Sequence, residues 1–326
     1  MSRLETDTDH GEVISNAIGV GLQGDAQRAV ELLRSIEGVA LTEGQKKYRS
    51  CMLERFGSHE PSLESTQDQN SFADTIVATY KAYWHAALTD PERREEYTEK
   101  LEQQLRDILD LSEGADSFEI ERNLRERLSI DGLYALLGQT GVLRELMIWQ
   151  NEERGPVSVE MPHGTYQTEV AFLDDFIISG WGQYATCETR GAGGWVADRT
   201  LFAVVPLYDD IEGEEFRVTF LGHETQHFLD LDAYPDMLSW ELEYRAKLME
   251  LAMADETRER VLQKFIEDQS DDPASHHSYA NRKLLNEMVE RLPVSEVEGL
   301  KQAPDGALRD AALSLFQADT AKREGQ

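Results

Sequence analysis

Cysteine and basic residues are scarce in this sequence. Its two cysteines, Cys51 and Cys187, stand far apart among 326 residues. They are too few for a disulfide framework and too distant for a Cys-x-x-Cys metal knuckle. Against 63 acidic residues there are only 32 lysines and arginines, so the formal net charge is −31. Such a charge repels phosphate backbones and anionic lipid headgroups. We therefore expect no nucleic acid and no membrane surface as partners.

Long apolar runs and a basic leader are also missing. No stretch approaches the roughly eighteen apolar residues that a membrane-spanning helix needs. The first residues, MSRLETDTDHGEV, contain no basic segment followed by an apolar one, so no secretory signal is predicted and the expected location is cytoplasmic. Apolar residues make up 40% of the chain. That share is enough for a substantial core in one large domain or two smaller ones.

Two kinds of hydrophobic pattern divide the chain near its middle. In the first half, apolar residues recur at helical spacing over residues 24–37 and 71–88, and a further helical pair is predicted over residues 117–150. Short β-type runs follow: VSVEM, TYQTEVAFL, FIISGW, TLFAVVPLY and FRVTFL. Helices then return. The sequence thus predicts an α+β protein with a mainly helical N-terminal domain, residues 1–153, and a C-terminal domain, residues 154–326, that contains a small, mostly antiparallel sheet.

The segment His223-Glu224-Thr225-Gln226-His227 is the strongest chemical signal in the sequence. Residues four apart lie on one face of a helix, so the imidazoles of His223 and His227 can bind one metal ion from successive turns. Glu224 then lies beside the ion, where its carboxylate can take a proton from the attacking water. The pattern predicts a zinc site with Glu224 as general base. The alternative is an amphipathic helix with solvated polar side chains.

A catalytic zinc site usually has a third protein ligand. A third histidine six residues after His227 is excluded, because that position is Ala233. Asp230 lies one turn further along the same helix, where it is better placed to accept an imidazole N–H. Glu241 and Glu243, fourteen and sixteen residues after His227, belong to the next predicted helix. Spacing alone leaves both glutamates open.

Residues 200–255 resemble the gluzincin group of metallopeptidases, in which a glutamate on a second helix completes the metal site of a His-Glu-x-x-His motif. That glutamate is often followed three residues later by alanine or serine. Glu243 is followed at this offset by Ala246, whereas Glu241 is followed by Tyr244. The resemblance therefore implies Glu243 as the third zinc ligand, ahead of Glu241.

The same resemblance implies a zincin-like domain that cleaves peptide or protein substrates with Zn²⁺. From the residues themselves, the glutamate that does not bind zinc is expected to orient a histidine or to pair with Arg245. The sequence departs from the group in two ways. Lys247 stands where an aspartate often supports a ligand histidine, and the Gly-x-Met-x-Asn signature of the aminopeptidase branch is missing.

Three further features are candidates for the site, and each has a plainer alternative. His277 and Tyr279 lie downstream, as oxyanion donors do in the gluzincins, although His276 is equally well placed and all three fit a capped loop with exposed histidines. The glycine run at residues 191–194 leaves room for a substrate strand or forms a flexible hairpin turn. Cys187 is a fourth zinc ligand or, more simply, a buried inert thiol.

An alternative function is a zinc-binding regulatory or protein-interaction module with little or no proteolytic activity. The large helical N-terminal half favours it, since that half offers an interaction surface or a cover for the cleft. A protein without any metal is the third hypothesis. The sequence indicates neither the cleavage specificity nor the oligomeric state.

Overall fold

A computed structural model describes residues 9–36, 41–57 and 71–325 of the chain. Within them the helices, numbered along the chain, are α1 (Asp9–Leu22), α2 (Ala26–Ser35), α3 (Glu43–Phe56), α4 (Phe72–Thr89), α5 (Arg94–Ile108), α6 (Ser117–Ile130), α7 (Trp181–Ala185), α8 (Glu214–Phe216), α9 (His223–Ala233), α10 (Ser239–Met253), α11 (Arg258–Glu267), α12 (His276–Arg291) and α13 (Asp305–Glu324). The strands are β1 (Tyr134–Thr140), β2 (Leu143–Met161), β3 (Gly164–Ser179), β4 (Gly194–Ala197) and β5 (Thr200–Val204). The predicted α+β class is confirmed. None of these helices combines the length and the apolar character that crossing a bilayer requires.

The five strands form one mixed sheet in the order β1-β2-β3-β5-β4, so β4 lies at an edge. β1 and β2 are antiparallel neighbours, with Tyr134 opposite Trp149, and β4 and β5 form a second antiparallel pair. The turn Asp198-Arg199 joins β4 to β5 with positive φ angles of 48° and 60°, which give the twist that a two-residue hairpin needs. Arg199 contacts Asp232 near the end of α9 at 2.6 Å.

The chain divides into two compact units. The first consists of residues 1–152 and 173–192, and the second of residues 153–172 and 193–326. Each unit has its own cluster of buried apolar side chains. The domain division after residue 153 stays a prediction, and the first unit additionally includes the return segment 173–192.

Side-chain caps mark the starts of two predicted helices of the first unit, α2 and α4. Asp25 caps α2 by accepting the Arg28 backbone N–H at 2.9 Å. Ser71 and Asp74 form a capping box at the start of α4. Such caps stabilise a helix by about 1 kcal/mol each, because they satisfy backbone donors that have no partner within the helix. The first two predicted helices are thereby confirmed as α2 and α4.

The helical pair predicted over residues 117–150 is wrong in its second half. α6 ends at Ile130, and the chain then enters β1 and β2. The apolar run at residues 146–149, LMIW, is buried at every position, as in a strand that is covered on both faces. A continuous apolar run has no period of its own, so helix and strand cannot be distinguished from it.

The two cysteines are bonded to each other, and the prediction of an unpaired, inert thiol at Cys187 is wrong. Cys51 on α3 and Cys187, in the turn after α7, form a disulfide with a Cα–Cα distance of 6.2 Å. Cys187 is therefore not available as a zinc ligand. The two residues are 136 positions apart, and the spacing of two isolated cysteines carries no signal of pairing.

Residues 216–221, FRVTFL, are helical, and the β-type run predicted there is wrong. α8 continues through a π-helical segment, Arg217–Gly222, directly into α9. Phe216 and Phe220, four residues apart, are both buried, and burial at this helical spacing outweighs the local β propensity of the run. The predicted strands VSVEM and TYQTEVAFL, in contrast, lie within β2 and β3.

Candidate metal centre

The two motif histidines face each other on α9. His223 and His227 are one helical turn apart, their ring centroids are separated by 4.6 Å, and their Nε2 atoms by 2.9 Å. The chain enters this turn from the π-helical segment, a departure from α-helical geometry that is frequent at functional sites. Both imidazoles thus present the same nitrogen to one point, as the binding of a single metal ion requires.

Glu243 reaches the same point from α10. Its Oε1 atom lies 3.3 Å from His227 Nε2, and its Oε2 atom lies 3.5 Å from His223 Nε2. One ligand atom from each of the three residues can be chosen so that all lie within 4.8 Å of one another. Ala246, one turn further along α10, is completely buried.

These three residues could hold a metal ion, and their donor atoms are of the kinds that bind zinc in proteins. In a tetrahedral zinc site the ligand atoms lie about 3.3 Å from one another, because each metal–ligand bond is near 2.0–2.1 Å. The two Nε2 atoms are 2.9 Å apart. The distances of 3.3 and 3.5 Å to Glu243 belong to its two different carboxylate oxygens, and with a single donor atom from each residue the three lie within 4.8 Å of one another. Two imidazole nitrogens and one carboxylate oxygen also make up the protein ligands of one class of catalytic zinc site, which keeps a fourth position for water.

Glu241, Asp230 and Arg245 take different roles from those predicted. Glu241 lies away from the histidines and pairs with Arg323 at 3.0 Å. Asp230 accepts a hydrogen bond from Arg245 at 2.9 Å instead of one from an imidazole. Arg245 also contacts Asp319 at 2.8 Å. Arg245 is therefore held by two aspartates, and neither glutamate is its partner.

Glu250, a residue that the sequence pattern did not indicate, holds the outer nitrogen of His223. Its Oε1 atom lies 2.6 Å from His223 Nδ1, and both side chains are buried. A carboxylate in this place fixes the tautomer and the ring orientation of a ligand histidine. Glu250 stands seven residues after Glu243, two turns along the same face of α10, and this spacing is the signal that points to it.

The carboxylates and imidazoles of the centre shift one another's pKa values strongly. Burial alone would raise the pKa of Glu243, but hydrogen bonds from His223, His227 and His277 hold it well below its usual range. Burial alone would lower the pKa of His223, but hydrogen bonds to Glu243 and Glu250 raise it to about 10. A metal ion bound by the His223 ring would displace a proton from it, so metal binding at this centre would release a proton.

Glu224, the predicted general base, is half-buried and follows His223 directly on α9. Phe216, Phe220 and Glu224 follow one another at intervals of four residues along this helical segment. The ring of Tyr208 packs on both phenylalanines, at centroid distances of 4.7 and 5.9 Å. Burial and the negative charge of Glu224 raise the pKa of Tyr208, so its phenol stays a neutral hydrogen-bond donor near the predicted base. No spacing in the sequence connects Tyr208 to the motif.

The glycine run before β4 is closely packed. A side chain at Gly193 would come within 2.7 Å of the Tyr208 hydroxyl, and one at Gly194 would collide with the Phe202 carbonyl oxygen and the Phe220 ring. Gly193 and Gly194 therefore leave room for Tyr208, Phe202 and Phe220 to pack closely against the backbone, and this part of the run is not a loose turn. The addition of a substrate strand to the edge strand β4 stays a prediction.

Among the predicted oxyanion donors, His277 meets the centre. Its Nδ1 atom lies 2.7 Å from Glu243 Oε2, while its side chain is 67% exposed, which places it at the rim. Tyr279 packs its ring on Trp240, with centroids 5.3 Å apart. The ring of His276 bonds to a backbone carbonyl at 2.9 Å. The structure thus distinguishes His277 from His276, which the sequence did not.

Thr225 and Gln226, at the two variable positions of the motif, bond α9 to the hairpin of β2 and β3. Gln226 hydrogen-bonds to His163 at 2.9 Å, and the hydroxyls of Thr225 and Thr168 are 3.0 Å apart. Both motif residues are buried. His163 precedes Gln226 by 63 residues, so no local pattern could have identified it. These contacts fix the side of α9 that does not face α10.

Comparison with known proteins adds no relative to this description. No family model matches the chain, and no curated protein and no solved structure matches it either. The geometry of the centre and the chemistry of its residues therefore carry the functional argument.

Proposed function

We propose that this protein is a zinc-dependent hydrolase that cleaves peptide bonds. The observation that supports the proposal is the convergence of His223, His227 and Glu243 on one point, from two helices, with Glu224 next to the first ligand. The choice of peptide bonds rests on the resemblance to the gluzincins. The same resemblance supports a zincin-like fold for the second unit, in which α9 and α10 carry the ligands.

Zinc bound by these residues would act as a Lewis acid that activates water and polarises a carbonyl group. Glu224 takes the proton from the attacking water and passes it to the leaving amine. His277, exposed at the rim, offers its ring to the oxygen on which negative charge develops. A similar role for Tyr279 stays a prediction from the sequence, since its ring packs on Trp240.

Metal analysis and peptide digestion test this function together. Protein purified without a histidine tag should contain about one zinc ion per chain and should cleave members of a broad peptide library. A chelator should abolish cleavage, and added zinc should restore it. Cleavage that survives complete removal of zinc would contradict the proposal. Stoichiometric zinc without any cleavage would favour the regulatory or interaction module instead.

Replacement of single ligands tests the proposed zinc site. His223→Ala and Glu243→Ala each remove one of three protein ligands, so the zinc content of the purified variants should fall to nearly none. Glu241→Ala is the matched control, because it removes the same type of side chain from the same helix and should leave the zinc content unchanged. Zinc that stays in Glu243→Ala and is lost in Glu241→Ala would reverse the assignment of the third ligand.

A further inference from the structure

Lys247 lies beside the carboxylate of the proposed ligand Glu243, where a positive charge opposes metal binding. It follows Glu243 by one turn of α10, and its Nζ atom lies 3.8 Å from Glu243 Oε2. The residue is only 6% exposed, and its ammonium group lies 4.8 Å from the centre of the Phe265 ring. Lysines are rarely buried unless they are paired, and Glu243 provides the pairing carboxylate.

Lys247 changes the summed formal charge of the α10 residues closest to the centre, which are Glu243, Lys247 and Glu250. Glu243 and Glu250 each bear one negative charge and Lys247 bears one positive charge, so together the three carry a single negative charge. A neutral residue in place of Lys247 would leave two negative charges on these residues, so the centre would attract a zinc ion more strongly. Charge interactions are several-fold stronger in such buried surroundings than in water. Lys247 therefore makes the centre less attractive to a divalent cation.

We propose that Lys247 tunes the metal centre, because its ammonium group shares the Glu243 carboxylate with the bound zinc ion. The lysine thereby weakens zinc binding and leaves the ion a stronger Lewis acid, since a carboxylate that is partly neutralised donates less charge to the metal. This inference rests on the proposed function, which supplies both the zinc ion and the hydrolytic reaction. Glu250 acts in the opposite direction, because its hydrogen bond makes His223 a more basic ligand.

The zinc affinity of Lys247→Met, measured by competition with a chelator, tests this role. Methionine keeps an unbranched apolar stem and removes the charge, so zinc should bind about 10- to 100-fold more tightly than in the wild type. With zinc fully loaded, kcat for peptide cleavage should fall by about tenfold, because the ion is a weaker Lewis acid. Lys247→Arg keeps the charge and should stay near the wild type in both measurements. Lys264→Met, which removes an exposed lysine from α11, is the matched control and should change neither.

The opposite directions of the two effects separate tuning from simple damage. A variant that had only lost packing would bind zinc more weakly and react more slowly. Equal zinc affinity in the wild type and in Lys247→Met would overturn the role of Lys247 and leave the proposed function intact. A wild type that binds no zinc would overturn the proposed function and this inference with it. Circular dichroism of the zinc-free proteins checks folding, and Lys247→Gln gives the same readout if the methionine variant does not fold.

Discussion

Glu224→Gln is expected to lower kcat for peptide cleavage by about a thousandfold while the variant still binds zinc like the wild type. Glutamine has nearly the shape of glutamate but cannot accept the proton of the attacking water. General-base catalysis commonly contributes about 10²- to 10⁴-fold to a rate. Glu224 lies outside the group formed by His223, His227 and Glu243, so its replacement leaves the metal donors in place. The measurement is kcat and KM on one cleaved peptide, at equal zinc content, and KM should change little.

Glu215→Gln is the matched control for this variant. Glu215 lies on the same helical segment nine residues before Glu224, is partly exposed, and pairs with Arg260. Its replacement removes the same charge at a distance from the ligands and should leave kcat within about twofold, as for most surface changes away from a site. A fully active Glu224→Gln would place the base elsewhere, and a variant without zinc would make Glu224 a ligand.

The candidate metal centre could be predicted as far as helical periodicity extends. Four-residue spacing puts His223 and His227 on one face. The preference for Glu243 over Glu241 came from the resemblance to the gluzincins and not from periodicity. The structure brings the two histidines and Glu243 together. The supporting contacts were beyond reach for different physical reasons. The seven-residue spacing to Glu250 becomes a signal only once Glu243 is known to face the histidines, and His163 comes from a turn 63 residues before its partner.

The fold could be predicted where an element carries its own period or cap. The caps at Asp25 and Ser71 start helices that the sequence indicates. The predictions failed in two runs. Residues 146–149 were expected to be helical and form part of a strand, and residues 216–221 were expected to form a strand and are helical. In both runs the tertiary surroundings decide the conformation: burial at every position in the first, and burial of Phe216 and Phe220 at helical spacing in the second.

The disulfide was not predictable from the sequence and changes the expectations for the first unit. Cys51 and Cys187 join α3 to the turn after α7, next to an ion pair of 3.2 Å between Arg55 and Glu188. Disulfides persist mainly in oxidising compartments. The cytoplasmic location stays a prediction from the sequence, and the disulfide favours an oxidising compartment instead. Thiol titration of unfolded protein, purified without reductant, should find no free thiol if the bond forms.

Removal of this bond should destabilise the folded protein substantially. The bond closes a loop with a sequence separation of 136 residues, and the loop-entropy model gives about 5 kcal/mol for a loop of that length. The double variant Cys51→Ser/Cys187→Ser should therefore unfold at a much lower urea concentration than the wild type. Reductant should shift the wild type to the same midpoint and leave the double variant unchanged, which separates loss of the bond from an effect of serine. A wild type that unfolds at the same urea concentration with and without reductant would contradict a stabilising role.

The proposed zinc ligands all belong to the second unit. We therefore expect the zinc affinity of the folded double variant to match that of the wild type, so stability and metal binding should respond to different parts of the chain.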